Sequence, residues 1–532
     1  MELTLVNLHE IFLSFYKLAL SFTKFICLKK FDMKLPSSIK NWVSIIGAVL
    51  AIFNLATILS LMILNSFFDF GGTYIGLFIY MLLPAFMIFG LILIPVGMRL
   101  NRASARKAEA EGEVKNWPII NFNNEATRNA SIIFIFGTIF LLVISSVGSY
   151  EAFHYTESVE FCGKLCHKVM EPEFTSYHGS PHERVACVEC HVGAGASWYV
   201  KSKMSGLYQV YSVLAHKFPT PIPTPIANLR PARETCEKCH WPEKFYDRKM
   251  KYLQSYLADD SNTERVIQLQ MKTSSKMTPA GLERGIHQHI SPDVKIEYKT
   301  TSTNRQVIPW VKYTNIKTGV SEIFTDNENK LSQQKLDSLE TRVMDCLDCH
   351  NRPSHNYNVP QNFIDKSISA GKISKTLPGI KQISMQVLYK VYSTKDSAFM
   401  AIKDKVTEFY KSSHPELLIS RKTDIDNSIA EIQNGYANNI FPYMKADWRG
   451  YPNNIGHLEN DGCFRCHNDR HATPTGKVIS KDCNLCHEIQ AQGTPDSMQY
   501  SNSFKPLEFK HPIDIDDAWK TELCSSCHSQ LY

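Results

Sequence analysis

The sequence predicts a mainly α-helical protein in which three transmembrane helices precede a larger extracytoplasmic domain with a small β insertion. Three observations lead to this prediction. Three apolar runs near the N-terminus have about the length needed to cross a bilayer. Seven pairs of cysteines, each followed directly by a histidine, recur over the rest of the chain. Between the third and fourth pairs, short segments alternate polar and apolar residues as strands do.

The three apolar runs are Trp42–Leu64, Tyr74–Met98 and Ser131–Val147, and further apolar residues flank the third, which is the shortest. Basic residues cluster before the first run and after the second. The loop between those two runs carries Asp69 and no Lys or Arg. The positive-inside rule therefore puts the N-terminus and the loop at Arg99–Arg128 in the cytoplasm. The third helix must then exit on the opposite side, so we expect the chain from about residue 149 onward to be extracytoplasmic.

Residues 1–40 are predicted to be a cytoplasmic N-terminal segment. Residues 1–30 are apolar but include charged side chains such as Glu10 and Lys17, a composition that fits an amphipathic surface helix. A second interpretation is that translation starts at Met33, which opens a basic N-terminus leading into the membrane. A cleaved signal peptide is disfavoured because no small-residue cleavage site precedes the first long apolar run.

The cysteine pattern is typical of covalently bound haem c. Of the 15 cysteines, 14 form seven motifs in which a His follows the second Cys. In a C-x-x-C-H motif, two thioether bonds hold the porphyrin and the His reaches the iron. Zinc knuckles and disulfide frameworks also use paired cysteines, but neither requires a His at this position. The cysteines predicted to attach haem are Cys162, Cys166, Cys187, Cys190, Cys236, Cys239, Cys346, Cys349, Cys463, Cys466, Cys483, Cys486, Cys524 and Cys527. The motif histidines are His167, His191, His240, His350, His467, His487 and His528.

The spacing of the motifs divides the chain into four predicted domains. Residues 1–40 form the N-terminal segment and 41–150 the three transmembrane helices. Residues 151–360 hold four motifs and a β insertion near 290–325, and residues 361–532 hold a helical spacer and the last three motifs. The predicted meander strands contain Val294–Tyr298, Val307–Tyr313 and Ser321–Phe324. The predicted spacer helices, from the spacing of apolar residues, are Ser397–Lys411 and Asp424–Asn438.

Residues 130–355 resemble the NapC/NirT (NrfH-like) family of membrane-anchored multihaem quinol dehydrogenases. The segments that carry the resemblance include C-G-K-L-C-H, S-P-H-E-R-V-A-C-V-E-C-H and N-L-R-P-A-R-E-T-C-E-K-C-H-W-P. The likeness is strongest over about residues 150–355, and the seven motifs with extra helices are more similar to heptahaem inner-membrane cytochromes. The resemblance implies an extracytoplasmic multihaem c-type cytochrome domain with seven haem c groups, which receives electrons from menaquinol.

The resemblance also implies axial ligands for the first three haems. The family's first haem takes a Met in an M-x-P sequence, which corresponds here to Met170, although this chain has one extra residue in the motif and one more after it. Either His167 or Met170 is therefore a ligand of this iron; we favour Met170, because thioether ligands are known in cytochromes. The family's spacings assign His182 to the third haem, five residues before the second motif. They assign His355 to the second haem, five residues after the last residue of the fourth motif.

Other histidines are candidate ligands of the remaining four haems, for which the resemblance offers no template. Either His287 or His289 is a candidate for the fourth haem. His457, His471 and His511 each stand just before a haem motif and match the last three haems in number. The sequence does not pair them individually.

The resemblance places a quinol site near residues 198–211, where the family has a Lys and an acidic residue. Lys201 and Lys203 straddle the expected Lys position, and Gln209 stands where the family often has an acid. Gln cannot accept a proton as a carboxylate does, so proton release would use another group, such as Glu171, Glu173 or water. The alternative reading of the segment is an interfacial amphipathic helix with aromatic residues and snorkelling Lys, and both roles are compatible.

The resemblance implies a membrane-bound protein that oxidises menaquinol and passes electrons to a periplasmic or outer-membrane multihaem cytochrome in anaerobic or extracellular respiration. Its partners would be the lipid membrane and the quinone pool, and the modest net charge of +6 gives no indication of nucleic-acid binding. We expect it in the inner (cytoplasmic) membrane with the haem domain on the periplasmic side. One alternative is a terminal multihaem reductase, for example of nitrite, which the lack of a C-x-x-C-K motif disfavours. Another is a non-catalytic electron-conduit subunit of a larger membrane complex.

Overall fold

A computed structural model describes residues 41–68, 79, 82–108, 121–165, 167–193, 195–226, 230–245, 248–275, 285–502 and 505–529. The predicted N-terminal segment 1–40 and part of the predicted second apolar run lie outside these residues. The chain divides into two compact units, one that ends at Thr156 and one that begins at Glu157.

The first unit contains three long apolar helices, α1 (Trp42–Phe68), α2 (Leu83–Ala108) and α3, which runs from Glu125 to Glu157. Each contains a stretch long and apolar enough to cross a membrane, so the prediction of three such helices is confirmed. Helices α1 and α2 approach closely at two glycines: a Cβ on Gly47 would lie 2.5 Å from the Gly90 carbonyl oxygen. The hydroxyl of Ser44 also donates a hydrogen bond to the Ile94 carbonyl over 2.9 Å. Small residues at a helix crossing are typical of packing inside membranes.

The second unit contains two antiparallel sheets. Their strands are β1 (Arg248–Tyr256), β2 (Glu264–Lys272), β3 (Val294–Lys299), β4 (Trp310–Asn315), β5 (Ser321–Asp326), β6 (Arg342–Val343), β7 (His471–Ala472), β8 (His487–Thr494) and β9 (Ser497–Tyr500). The first sheet has the order β1-β2-β8-β9, and the second has the order β6-β3-β4-β5-β7.

The second sheet contains the predicted meander, since β3, β4 and β5 pair consecutively in the predicted segments. Ile296, Tyr298, Val311 and Phe324 point to one side of it and form a small buried cluster. The alternation arises because successive strand residues face opposite sides of a sheet. The sequence analysis predicted this insertion but not its edge strands β6 and β7.

The first sheet was not predicted, although its pattern could be read from the sequence. In β2, Ile267, Leu269 and Met271 alternate with two glutamines, which is the period of a half-buried strand. Pairing of β2 with β8 joins residues on the two sides of the predicted domain boundary at residue 360. The structure therefore holds these two stretches in one compact unit.

Helices and short 3₁₀ turns make up most of the remainder of the second unit. The helices are α4 (Val159–Lys164), α5 (His167–His178), α6 (Cys187–His191), α7 (Ala196–Leu214), α8 (Ala232–Cys236), α9 (Gln333–Ser338), α10 (Cys346–Cys349), α11 (Pro360–Ser369), α12 (Ile380–Leu388), α13 (Lys395–Ser413), α14 (Leu417–Ser420), α15 (Lys422–Asn439) and α16 (Cys524–His528). The 3₁₀ turns are Pro242–Lys244, Ile286–Ile290, Pro442–Met444, Gly462–Arg465, Cys483–Leu485 and Ala518–Lys520.

The spacer between the fourth and fifth motifs is a helical bundle with its own apolar core. The two predicted spacer helices are confirmed as α13 and α15, and α11 and α12 complete the bundle. Its core contains fully buried side chains such as Ile364, Ile402 and Ile432. Lys381 on α12 is also fully buried, and its ammonium group lies 2.5 Å from the Asp365 carboxylate on α11.

Candidate haem centre

The motifs sit on single helical turns, which place their functional side chains together. Helices α6, α10 and α16 each begin at the first Cys of a motif, and two 3₁₀ turns carry the motifs of Cys463 and Cys483. Residues three and four positions apart lie on the same side of a helical turn. The two cysteines and the following His of a C-x-x-C-H motif therefore face one common space.

Six imidazole ring pairs are the main feature of this centre among the described residues. Each pair joins one motif histidine to one histidine outside the motifs. The pairs, with the distances between ring centroids, are His355–His191 at 6.3 Å, His182–His240 at 6.1 Å, His287–His350 at 6.3 Å, His289–His467 at 5.8 Å, His457–His487 at 6.2 Å and His511–His528 at 6.2 Å.

The separation of the rings fits an iron atom between them. Two imidazole–metal bonds of about 2 Å each, together with half of each ring, would set the centroids roughly 6 Å apart. Direct ring stacking would bring them closer, as for His457 and Phe464 at 4.2 Å. The six pairs therefore fit the axial ligation of haem.

Hydrogen bonds orient six of the paired rings. The Nδ1 atoms of these rings lie within hydrogen-bond distance of backbone carbonyl oxygens, which can only accept. In the five rings other than His511, whose Nδ1 also accepts from the Ile513 backbone N–H over 3.3 Å, Nδ1 therefore carries the proton and Nε2 is left to bind metal. The six bonds are His182 to Pro353, His287 to Thr273, His289 to Ile286, His355 to Glu173, His467 to Ser480 and His511 to Ile513, over 2.6 to 3.2 Å.

Burial disfavours the protonated form of several of the paired rings, and neutral imidazole is the form that binds metal. It lowers the pKa of His191 to about 4, and the nearby His355 adds to this effect. Burial likewise lowers the pKa values of His355, His467 and His487 to about 4. At neutral pH these rings therefore have an unprotonated nitrogen available to a metal.

Five of the six ring pairs, all but His355–His191, line a continuous cavity of about 3030 Å³ together with motif cysteines. Sites for a single small molecule commonly measure about 300–1,000 Å³, so this cavity has room for several large cofactors. Cysteines of the second to seventh motifs all contribute to its walls, including Cys190, Cys349 and Cys527. The donor set, the spacing and the space thus fit haem c.

His471 is placed differently from the other candidate ligands. The structure does not bring it to a motif histidine. Its Nδ1 atom lies 2.9 Å from the Asn468 side-chain oxygen, and its Nε2 atom lies 2.7 Å from the Ile308 carbonyl oxygen. The ring is fully buried, and both nitrogens are engaged, so none is free for iron. His289, which was expected as an alternative to His287, instead faces the fifth motif.

The first motif lies where α4 meets α5. Gly163, inside the motif, allows this contact because a Cβ there would lie 1.9 Å from a ring carbon of Phe174. The thiol of Cys162 shares a hydrogen bond with Cys187 of the second motif, which raises the pKa of Cys162. Cys166 and the side chain of His167 lie outside the described residues. Met170 is half-buried on α5, and the choice between His167 and Met170 stays a prediction.

Helix α7 carries the three residues expected at the quinol site, but it separates them. Lys201 and Gln209 are exposed, and they lie about 80° apart around the helix. Lys203 is half-buried and lies about 200° around the helix from Lys201. Its positive charge lowers the pKa of Cys162 in the first motif. Of these three residues, Lys203 therefore lies nearest the first motif.

Acidic residues near the first motif differ in their surroundings. Glu171 is exposed, whereas Glu173 is half-buried and accepts a hydrogen bond from the Tyr357 hydroxyl. Burial raises the pKa of Glu173 above its ordinary value. The sequence analysis missed Glu157, which is half-buried and whose negative charge raises the pKa values of Cys162 and Tyr199. Its position at the end of α3, five residues before Cys162, was a readable signal.

Comparison with known proteins agrees with these observations. Residues 124–222 match the model of the NapC/NirT cytochrome c family, N-terminal region. The chain is 42% identical over 489 residues to the cytochrome c-type protein ImcH of Geobacter sulfurreducens. The aligned segment covers 92% of this chain and 95% of that protein. No solved structure matches the chain. The resemblance seen in the sequence is confirmed, and the chain belongs to the NapC/NirT cytochrome c family.

Proposed function

We propose that this protein is a membrane-bound quinol dehydrogenase with seven haem c groups. It oxidises menaquinol and passes the electrons to periplasmic or outer-membrane cytochromes. The observation that carries the proposal is the position of Lys203, which is half-buried and whose positive charge lowers the pKa of Cys162 in the first motif. This motif follows directly on the third apolar helix in the sequence, so a quinol held in the membrane would meet it first.

Seven haem c groups are proposed because seven motifs are present and six of them have a paired imidazole. The assignments carried over from the family, His355 for the second haem and His182 for the third, are supported by the pairs with His191 and His240. His457 and His511 are assigned to the sixth and seventh haems on the same ground. Each haem, when bound, accepts and donates one electron at a time. His471 is not among the proposed ligands.

The outer face of α7 supports contact with lipid. Its exposed apolar residues recur at helical spacing and form one stripe along the helix: Val200, Met204, Leu207, Tyr211 and Leu214. The ammonium group of Lys201 lies 5.1 Å from the Trp198 ring centre, and that of Lys217 donates a hydrogen bond to the Tyr211 hydroxyl over 2.8 Å. Lysine and aromatic residues beside an apolar stripe are typical of a helix at a membrane surface. A quinol could therefore reach this helix from the bilayer, and we place the haem domain on the periplasmic side.

Oxidation of a quinol to a quinone releases two electrons and two protons. The Lys203 ammonium group would stabilise the negative charge that forms on the quinol oxygen as its proton leaves, an effect that is stronger where water is scarce. Lys201 and Gln209 are exposed on other sides of α7, about 100° and 180° around the helix from Val200 in the apolar stripe, so we assign them a smaller part in binding the quinol. Glu157 would accept a proton, because its charge and that of Lys203 both influence the pKa of Cys162.

A terminal reductase is the weaker alternative. Such an enzyme needs an iron with an open position for its substrate, as catalytic metal sites in general do. In the described part of the chain, the histidines of the second to seventh motifs each have a second imidazole opposite them, and the first motif has Met170 nearby in sequence. A non-catalytic conduit would have the same haem ligands but would not be reduced by quinol.

The test is reduction of the purified, detergent-solubilised protein by a menaquinol analogue, followed by haem absorbance. We expect quinol to reduce the protein and a substoichiometric amount of the enzyme to oxidise excess quinol when a soluble acceptor is present. Full reduction by dithionite with none by quinol would rule out the dehydrogenase and favour the conduit. Intact-mass measurement should give seven haem additions, and a mass with four would contradict the heptahaem proposal.

A further inference from the structure

We propose that the turn Ile286–Ile290 supplies ligands to two different haems. His287 binds the iron of the haem attached at Cys346 and Cys349, and His289 binds the iron of the haem attached at Cys463 and Cys466. This proposal rests on the proposed binding of haem at the seven motifs, but not on quinol oxidation. The sequence offered the two histidines as alternatives for one haem.

The geometry of the turn separates the two rings. His287 pairs with His350 at 6.3 Å between centroids, and the ring planes are nearly parallel at 7°. His289 pairs with His467 at 5.8 Å, and those planes are nearly perpendicular at 79°. A 3₁₀ helix has three residues per turn, so side chains two positions apart point in directions about 120° from each other. One short turn can therefore face two motifs at once.

Backbone contacts hold both rings in these orientations. The Nδ1 atom of His287 lies 2.6 Å from the Thr273 carbonyl oxygen, and that of His289 lies 2.7 Å from the Ile286 carbonyl oxygen. In each ring the other nitrogen is left for the metal. Gly285 precedes the turn, and a Cβ there would lie 2.1 Å from the Lys272 carbonyl oxygen. A residue without a side chain is thus required for the turn to pack against the end of β2.

The two motifs that the turn faces are themselves joined. The Arg465 guanidinium, inside the fifth motif, donates a hydrogen bond to the Asp348 carbonyl oxygen, inside the fourth motif, over 2.7 Å. The Asn454 side chain donates a second bond to the same oxygen over 3.0 Å. The haems of these two motifs would consequently be neighbours, with the turn beside both. The turn therefore links the first four haems to the last three.

Electron paramagnetic resonance of the oxidised protein tests the assignment, because it distinguishes the two kinds of ring pair. A low-spin haem with near-parallel imidazole planes gives a rhombic signal, and one with near-perpendicular planes gives a strongly anisotropic signal. The pairs of His350 and His487 belong to the first kind, at 7° and 19°. The pairs of His240 and His467 belong to the second kind, at 77° and 79°. We expect both kinds of signal in the wild-type protein.

The variants are His287→Met and His289→Met, and His414→Met is the control because His414 lies in the spacer, after α13. We expect His287→Met to remove one haem's share of the rhombic signal and His289→Met to remove one haem's share of the anisotropic signal. Each variant should also shift one haem to a higher potential, since Met ligation raises it. The control should change neither the spectrum nor the titration.

Three outcomes would overturn the proposal: loss of the same signal in both variants, an unchanged spectrum in His289→Met, or a wild-type spectrum without the anisotropic signal. The last measurement needs no variant, so poor folding of a variant leaves the proposal open to refutation. Intact mass should show seven haems in every protein that is compared. Failure of quinol to reduce the wild-type protein would count against the proposed function but would leave these spectra unchanged, so the two failures are distinct.

Discussion

The hydroxyl of Tyr298 donates a hydrogen bond to the carboxylate of Asp348 over 2.6 Å, which joins the buried face of β3 to the fourth haem motif. Asp348 is only 3% exposed. Its carboxylate also accepts hydrogen bonds from Arg305 and Arg342, over 3.1 and 2.9 Å. One side chain inside a C-x-x-C-H motif therefore fixes the motif to the β insertion.

Removal of this carboxylate should be far more costly than removal of one of its partners. Asp348→Ala removes an acceptor from the Arg305 and Arg342 guanidinium groups and from the Tyr298 hydroxyl, and loss of one partner of a buried ion pair commonly costs about 3–5 kcal/mol. Tyr298→Phe removes one hydrogen bond and should cost about 1 kcal/mol. Denaturant unfolding followed by circular dichroism measures both, with Tyr500→Phe on the exposed surface as the control. Equal effects of the first two variants would contradict the central role of Asp348.

The contact between Gly163 and Phe174 predicts a compensating pair of substitutions. Gly163→Val should destabilise the packing of α4 on α5 because the new Cβ would overlap the Phe174 ring. Overpacking of this kind typically costs about 1–3 kcal/mol. Adding Phe174→Ala should recover part of the loss, since it makes room for the valine. Thermal unfolding is the measurement, and Gly206→Val, where a Cβ meets no neighbour within 4 Å, is the control for a substitution in open space.

The buried ion pair of Lys381 and Asp365 predicts a dependence of stability on pH. In Lys381→Met the carboxylate loses its counter-ion, so its pKa, which burial already raises, should rise further. A raised folded-state pKa means that the native state binds more protons than the unfolded chain, so the stability of the variant should fall as pH rises above about 4. Unfolding midpoints of the variant at pH 5 and pH 8, each relative to wild type, provide the comparison. A penalty that is no larger at pH 8 would refute this explanation, and Lys381→Met with Asp365→Leu should remove the dependence.

His182 and His355 are expected to be distal ligands of the third and second haems. Replacement of either by Met should raise the potential of one haem while the protein keeps seven haems, since Met ligation raises potential relative to His. Redox titration followed by absorbance measures the shift. Unchanged titrations in both variants would remove these assignments, and His414→Met again provides a control away from the motifs.

The quinol site is expected to depend more on Lys203 than on Lys201 or Gln209. Lys203→Ala should slow reduction by a menaquinol analogue about tenfold or more, because loss of one charge stabilising the reacting oxygen commonly costs a few kcal/mol. Lys201→Ala and Gln209→Ala should have smaller effects, since both side chains lie on the exposed side of α7. Stopped-flow absorbance measures the rate, and reduction by dithionite should be unchanged in all three. Wild-type rates with quinol in all three variants would place the site elsewhere.

The sequence could predict those features whose pattern lies within one short segment of the chain. The seven motifs, the apolar helices and the meander are patterns within short segments, so they could be read directly. The assignment of His355 as a haem ligand followed from a residue spacing in the family, and the structure places this side chain opposite His191. His471 resembled the other candidates because it stands just before a motif, but the acceptor that engages its Nε2 atom is Ile308, far away in the sequence. No local pattern reveals such a contact.

The pairing of His289 with His467 is a second contact that the sequence alone could not predict. Its two members stand far apart in the sequence, and their meeting depends on how the Ile286–Ile290 turn packs against β2. The first sheet was overlooked although β2 alternates clearly, because its partner β8 lies beyond the spacer. Distant pairing is therefore the information that the sequence alone did not supply.

The pairing of β2 with β8 imposes an order of assembly on the newly made chain. Arg248 and Glu488, which meet across this sheet over 2.6 Å, are 240 residues apart. Strand β8 begins at His487, the histidine of the sixth motif, so the sheet cannot close before that motif has been synthesised. Pairing between such distant segments is also slow, because a long loop must be ordered first. The fourth, fifth and sixth motifs lie between β2 and β8, so all three must have been synthesised before this sheet can close.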